Sequence, residues 1–151
     1  MSDPGRDSAS ERKIAKVHDA YLRANTIVSG ELLRKVWDPD PSNVWFNLTG
    51  HKYQGLEHWI KLWEYYAPRR RARAPWTAFA TEVTVHGGVG WLTCSRFADI
   101  EWTGEETRPN AMNEIRSRST MIFLRRSGRW MAVHAHFSEE SQAPRPGDEP
   151  E

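Results

Sequence analysis

The sequence predicts an α+β domain in which helices come first and a curved antiparallel sheet follows. Apolar residues recur at helical spacing only in the first half of the chain. Beyond residue 76 there are four stretches with the composition of strands, separated by glycine-containing or polar turns. The last two stretches join through a tight turn at residues 125–128 and form a terminal hairpin. Runs of helices followed by runs of strands are typical of folds in which the helices pack on one sheet face.

The amino-acid composition excludes several classes of function. A chain of 151 residues is expected to form one domain, and its net charge of +1 argues against general binding of nucleic acid or of an anionic membrane. No segment approaches the roughly 20 apolar residues of a membrane span. The single cysteine and the polar start favour a cytoplasmic protein. Eight tryptophans, four tyrosines and five phenylalanines indicate an aromatic interior or cavity.

Three helices are expected in the first half of the chain. Ser8 and Glu11 form a capping-box signature at the start of a long amphipathic helix. A short second helix should begin after Ser29 and end at the prolines that follow Trp37. A third helix should start at Gly55, and its apolar stripe consists of Leu56, Trp59, Ile60, Trp63 and Tyr66.

The strands follow from turn signals and alternation. A small hairpin is expected at 44–47 and 52–54, around Gly50. After a basic loop at 68–75, longer strands are expected at 77–86, 89–102, about 114–125 and 130–138, with a polar loop at 103–110. We expect one ordered domain over residues 9–138, between a disordered start at 1–8 and a disordered tail at 139–151.

The last strand has two different faces. Because side chains alternate along a strand, Trp130, Ala132, His134, His136 and Ser138 should share one face. The other face should be apolar and should consist of Met131, Val133, Ala135 and Phe137.

This order of elements, with the ending Gly-Arg-Trp-x-x-Val-His-x-His-x-Ser, resembles the nuclear transport factor 2-like superfamily. The likeness covers about residues 9–138 and is closest to its SnoaL-like, ketosteroid isomerase-like and calcium/calmodulin-dependent protein kinase II association-domain branches. Val36-Trp37-Asp38-Pro39 and Tyr53-Gln54-Gly55 lie where such proteins end their second helix and begin their third. The resemblance implies a cone, in which three helices pack in a curved antiparallel sheet around a pocket, and a homodimer formed through the outer sheet surface.

By this similarity the face with Phe137 lines the pocket, while His134 and His136 lie on the outer surface. Two histidines at i and i+2 on a strand could hold a metal ion, or could be hydrogen-bonded inside an interface. No third ligand occurs at a recognisable spacing, so we expect no metal and no cofactor.

Two residues are candidates for catalysis. Tyr21 aligns with the phenolic hydrogen-bond donor of ketosteroid isomerase, and a buried phenol can donate to a developing oxyanion. The alternative is an ordinary core tyrosine. The isomerase's carboxylate base would fall within Trp45-Phe46-Asn47, which contains no acid, and this argues against steroid isomerisation. Asn47 could still orient a ligand.

Arg96 is the candidate ligand clamp. It stands where the kinase association domains carry a pocket arginine, and a guanidinium in an apolar cone would favour a carboxylate. The alternative is an outward Arg96 paired with Asp99 or Glu101. The other pocket arginines of those domains correspond to Met121 and Phe137. The expected apolar walls are Trp37, Trp63, Met121 and Phe137.

A run of arginines at residues 69–73 invites a nucleic-acid interpretation. It has no interleaved aromatic residues and lies between prolines, so a solvated loop near the pocket mouth is the better interpretation. The sequence thus predicts a domain that binds a small molecule. We expect a cofactor-independent enzyme of the lyase, isomerase or cyclase type, acting on a compact apolar or carboxylated substrate. A non-catalytic association domain is the alternative.

Overall fold

The computed structural model describes residues 5–103 and 113–147 and confirms the α+β cone. All of the expected loop at 103–110 except residue 103 lies outside these residues, as do residues 1–4 of the expected disordered start and residues 148–151 of the expected disordered tail. The helices are α1 Ser8–Ile27, α2 Gly30–Val36 and α3 Leu56–Tyr66. The strands are β1 Val44–Phe46, β2 Lys52–Gln54, β3 Arg70–Ala72, β4 Thr77–His86, β5 Val89–Trp102, β6 Glu114–Arg126 and β7 Arg129–Glu139. No helix in this part of the chain is long and apolar enough to cross a membrane.

The cap of α1 differs from the expected one. Asp7, and not Ser8, is the N-cap, since its carboxylate accepts a hydrogen bond from the Ser10 amide at 3.0 Å. The helix ends at Val28, whose left-handed backbone (φ 54°) lets its amide reach the carbonyls of Ala24 and Asn25. Asp7 and Val28 together fix the length of the helix that carries part of the site.

The sheet has the strand order β2-β1-β7-β6-β5-β3, and β4 also pairs with β5. All of its pairs are antiparallel except β1 with β7, where Trp45 lies opposite Ala135 in parallel register. The central strands β5, β6 and β7 are long, and their inward residues cover the helices. Gly90 of β5 lies against α1, where an added Cβ would be 2.4 Å from Ile14 Cδ1.

Part of the expected basic loop is a strand. β3 pairs with the end of β5, with Arg71 opposite Glu101 and Ala72 opposite Ile100. Arg71 forms an ion pair with Glu101, and just beyond the strand Arg73 pairs with Asp99 at 3.1 Å. Side chains alternate along a strand, so neighbouring arginines of β3 point to opposite faces. Arg71 therefore reaches the acids of β5, while Arg70 faces inward.

Because of a bulge in β7, Trp130 lies on the opposite face of the strand from the one expected. Ile122 of β6 pairs with His134 but the next residue, Phe123, pairs with Ala132, so one extra residue is inserted in β7. The insertion reverses the alternation, and Trp130 is therefore buried (4% exposed) on the inner face with Phe137.

Candidate functional site

Arg96 is an arginine enclosed by the core. It lies on the inner face of β5 and is 3% exposed. Its Nη2 donates a hydrogen bond to Ser117 Oγ at 3.2 Å, but Nε and Nη1 have no partner. Its Cζ lies 4.2 Å from the ring centre of Phe137 and 4.9 Å from that of Trp76.

No acid compensates this charge in the described part of the chain, where none of the ion pairs includes Arg96. The alternative of an outward Arg96 is wrong, because Asp99 and Glu101 bind Arg73 and Arg71. Burying an unpaired charge costs several kcal/mol, whereas a desolvated cation–π contact returns about 2 kcal/mol. An anionic group beside Arg96 would offset this cost.

Tyr21 of α1 lies beside this arginine. It is 2% exposed, its ring stacks on Phe137 (6.2 Å between centres, 11°), and Trp63 covers it at 6.5 Å. Asn25 Nδ2 lies 3.5 Å from the phenolic oxygen. Burial raises the pKa of Tyr21, and the positive charge of Arg96 opposes the rise. The phenol is therefore a neutral donor at pH 7.

Arg70 and Asn25 belong to the same cluster and were not singled out from the sequence. Arg70 Nη2 donates to Asn25 Oδ1 at 2.9 Å, and its Cζ lies 4.6 Å from the ring centre of Tyr66. Burial lowers the pKa of Arg70 to about 10, so it stays charged at pH 7. The sequence signal that could have indicated this pair was Asn25, a polar residue on the apolar face of the first helix.

His18 is a further residue that sequence reasoning missed. It lies one helical turn before Tyr21, is 2% exposed, and its Nε2 is 3.8 Å from Cys94 Sγ. Cys94 Sγ is in turn 3.5 Å from Ser119 Oγ. Burial, followed by the charge of Arg96, lowers the pKa of His18 to about 4. Burial raises the pKa of Cys94, so at pH 7 the imidazole and the thiol are both neutral.

The other expected site residues divide into two groups. Trp63 and Phe137 contact Tyr21, and Trp37 lies one ring further away, against Trp59 at 4.5 Å between ring centres. Met121 is buried opposite Leu92, four residues along β5 from Arg96. Asn47 lies in the β1–β2 turn, where its amide donates to the His51 carbonyl. The described residues show no hydrogen bond between Asn47 and either Tyr21 or Arg96.

All buried side-chain polar atoms that lack a partner in the described residues are donors. They are Nε and Nη1 of Arg96 and the indole Nε1 atoms of Trp37, Trp45 and Trp130. Because buried donors are normally satisfied, an interior ligand for this protein should be rich in acceptors. Carboxylates and carbonyl compounds meet that requirement.

A cleft of about 350 Å³ adjoins the cluster on the helical side. Val28, Ile60, Trp63 and Ala67 contribute apolar lining, while Glu31, Arg34 and Glu64 supply charged groups. Trp63 lines this cleft and also stacks on Tyr21. Trp63 therefore separates the cleft from the ring of Tyr21.

The structural comparisons agree with the fold. The chain is similar to the association domain of calcium/calmodulin-dependent protein kinase II from C. elegans (TM-score 0.66, 19% identity, covering 87% of this chain and 97% of that chain). It is also similar to a candidate dehydratase of the nuclear transport factor 2-like family from Streptomyces avermitilis (TM-score 0.69, 14% identity, covering 88% of this chain and 97% of that chain). A third similar structure is a candidate ketosteroid isomerase from Parabacteroides distasonis (TM-score 0.61, 14% identity, covering 94% of this chain and 96% of that chain). At these identities the likeness shows the fold alone.

Sequence comparison supplies the family. A search of curated protein sequences gives no match. The sequence profile of the SnoaL-like domain, however, matches residues 14–141, which include all the strands, α2, α3 and the larger part of α1. The chain therefore belongs to the SnoaL-like domain family, and its fold is similar to that of nuclear transport factor 2-like proteins.

Proposed function

We propose that this protein binds a compact carboxylated molecule inside the cone and acts on it as a cofactor-independent enzyme of the isomerase, dehydratase or cyclase type. The observation that carries the proposal is the enclosed, unpaired guanidinium of Arg96. Its free Nε and Nη1 atoms can each donate a charge-assisted hydrogen bond to a carboxylate oxygen. A planar substrate would also suit the stacked rings of Tyr21, Trp63 and Phe137.

Tyr21 gives the site a chemical role beyond binding. A carboxylate on Arg96 would lie beside the phenol, whose neutral hydroxyl donates to an oxyanion as charge develops on the substrate. Interactions that strengthen as charge develops lower the barrier, whereas the Arg96 contact holds substrate and transition state alike. Arg96 is thus the binding group and Tyr21 the group that supports proton transfer.

The test is a melting-shift screen with small aromatic and aliphatic carboxylic acids on the wild type, Arg96→Met and Tyr21→Phe. Acids should stabilise the wild type by linkage and should leave Arg96→Met unchanged. Tyr21→Phe should still bind, because its ring contacts remain. Equal stabilisation of all three proteins would count against the clamp.

The outer sheet surface favours a second function, association. Phe46 is 38% exposed there, and its ring lies 5.6 Å from His134 and 5.1 Å from His136 between ring centres. A cluster of aromatic and imidazole side chains is typical of an interface between subunits. Among proteins of similar fold is a kinase association domain. We propose a homodimer through this surface, and a monomer by light scattering at micromolar concentration would contradict it.

A further inference from the structure

We infer that His18 is the proton acceptor of this site and that its substrates are carboxylic acids with an enolisable carbon next to a carbonyl group. The inference rests on the proposed function, because Arg96 must hold the carboxylate for the carbon to meet the imidazole. It supplies the titratable group that the Trp45-Phe46-Asn47 segment lacks.

The geometry brings His18 to the same place as the two groups already assigned. His18 and Tyr21 stand three residues apart on the inward stripe of α1, with ring centres 6.3 Å apart. Cys94, 3.8 Å from the imidazole Nε2, is two residues from Arg96 on the same face of β5. The charge of Arg96 acts on both rings of α1, so a ligand carboxylate at Arg96 would lie on the same side of the core as both.

The surroundings keep the imidazole neutral and available as a base. The groups near it are Tyr21 from α1 and Cys94 and Arg96 from β5, with Ser119 of β6 behind Cys94. Among the described residues Arg96 is the charged group that acts on His18, and no carboxylate shares its proton. Proton abstraction requires such an unprotonated nitrogen within reach of the substrate.

The step balances without a cofactor. The C–H bond next to the carbonyl breaks, its proton moves to Nε2 of His18, and its electron pair forms the enolate carbon–carbon double bond. The carbonyl oxygen takes the negative charge and accepts the hydrogen bond of Tyr21. Return of the proton to either end of the enolate system completes a tautomerisation and restores the neutral imidazole.

Ligand binding should strengthen this base. Arg96 disfavours the imidazolium in the free protein, so a carboxylate that pairs with Arg96 removes that repulsion. The pKa of His18 should then rise when an acid binds. Binding of an anion below neutral pH should consequently be accompanied by uptake of protons.

Phenylpyruvate is the probe, because it combines a ring, a carboxylate and an enolisable carbon. In D₂O the wild type should accelerate exchange of its C3 protons, as followed by proton NMR. His18→Asn and His18→Gln should bind it as tightly as the wild type and lose at least tenfold in exchange rate. The exposed His86 offers a matched control, and His86→Asn should exchange at the wild-type rate.

Binding and exchange separate the two proposals. If phenylpyruvate fails to bind the wild type, or binds Arg96→Met as tightly, the proposed function fails. If it binds through Arg96 but the wild type gives no exchange, or both His18 variants retain exchange, only the assignment of His18 is overturned. Calorimetry near pH 5.5 in two buffers adds an independent readout: proton uptake should accompany binding to the wild type and disappear in His18→Gln. Binding without proton uptake would also contradict the assignment.

Discussion

Replacing Arg96 by methionine should raise the stability of the free protein and remove its affinity for acids. The substitution keeps an unbranched side chain in an apolar place but deletes an unpaired buried charge. Exchanging buried ions for apolar side chains gains about 1–4 kcal/mol in other proteins, and the lost contacts with Phe137 and Trp76 cost about 1–2 kcal/mol. A net gain of about 1 kcal/mol corresponds to a melting temperature about 2–4 °C higher.

The same substitution should weaken the binding of phenylpyruvate. Arg96 has two free donor atoms, and a hydrogen bond to a charged partner contributes about 1.5–3 kcal/mol, which is about 10- to 150-fold in Kd. The assay combines thermal melts without ligand with calorimetric titration of the acid. Arg118→Met, at an exposed position of β6, is the control and should change neither quantity. A large loss of stability together with unchanged affinity would refute the reasoning, because Arg96 would then be a structural residue.

Three further predictions concern pH, packing and the outer surface. Because the pKa of His18 is about 4 when folded and 6.5 ordinarily, the unfolded chain binds more protons between these values. Urea titrations should therefore show stability falling by about 3 kcal/mol from pH 7 to 4 through this residue, and His18→Gln should reduce the fall. Gly90→Ala should cost about 1–3 kcal/mol in denaturant titrations, because its Cβ would meet Ile14, whereas Gly88→Ala, with open space around it, should not. His134→Ala removes the hydrogen bond of Nδ1 with the Val44 carbonyl (2.7 Å) and should lower the melting temperature without changing acid affinity; the opposite result would place His134 in the pocket.

The order of the elements followed from the sequence because their signals are local. Helical spacing, prolines after Trp37 and the turn at Ser127-Gly128 each act within a few residues, so the helices and long strands were predicted closely. The Ser127-Gly128 turn, where both residues have positive φ, joins the last two strands as expected.

The bulge in β7 and the strand β3 were missed because they depend on pairing with distant segments. Nothing near Trp130 in the sequence reveals that Phe123 pairs with Ala132 and reverses the face. β3 forms by pairing with the end of β5, about 30 residues away in the sequence, where Arg71 also meets Glu101. Long-range pairing of this kind has no signature within a single segment.

The site was predicted only in part, again because some of its contacts join segments that are distant in the sequence. Alternation along the strands, with the resemblance, predicted that Arg96, Phe137 and Tyr21 lie together, and in the structure Phe137 contacts both of the other residues. His18 was not singled out from the sequence, since its neighbour Cys94 lies 76 residues away in sequence. A histidine on an apolar stripe next to a candidate catalytic tyrosine was the signal that could have found it.

The most direct test of an acid-binding interior is a crystal structure of the protein grown with phenylpyruvate. We predict its carboxylate at hydrogen-bond distance, about 2.7–2.9 Å, from Nε or Nη1 of Arg96, with its ring among Tyr21, Trp63 and Phe137. An occupied interior in which the carboxylate avoids Arg96 would contradict the account. So would a structure, at saturating acid, in which Arg96 stays between Phe137 and Trp76 with no ligand beside it.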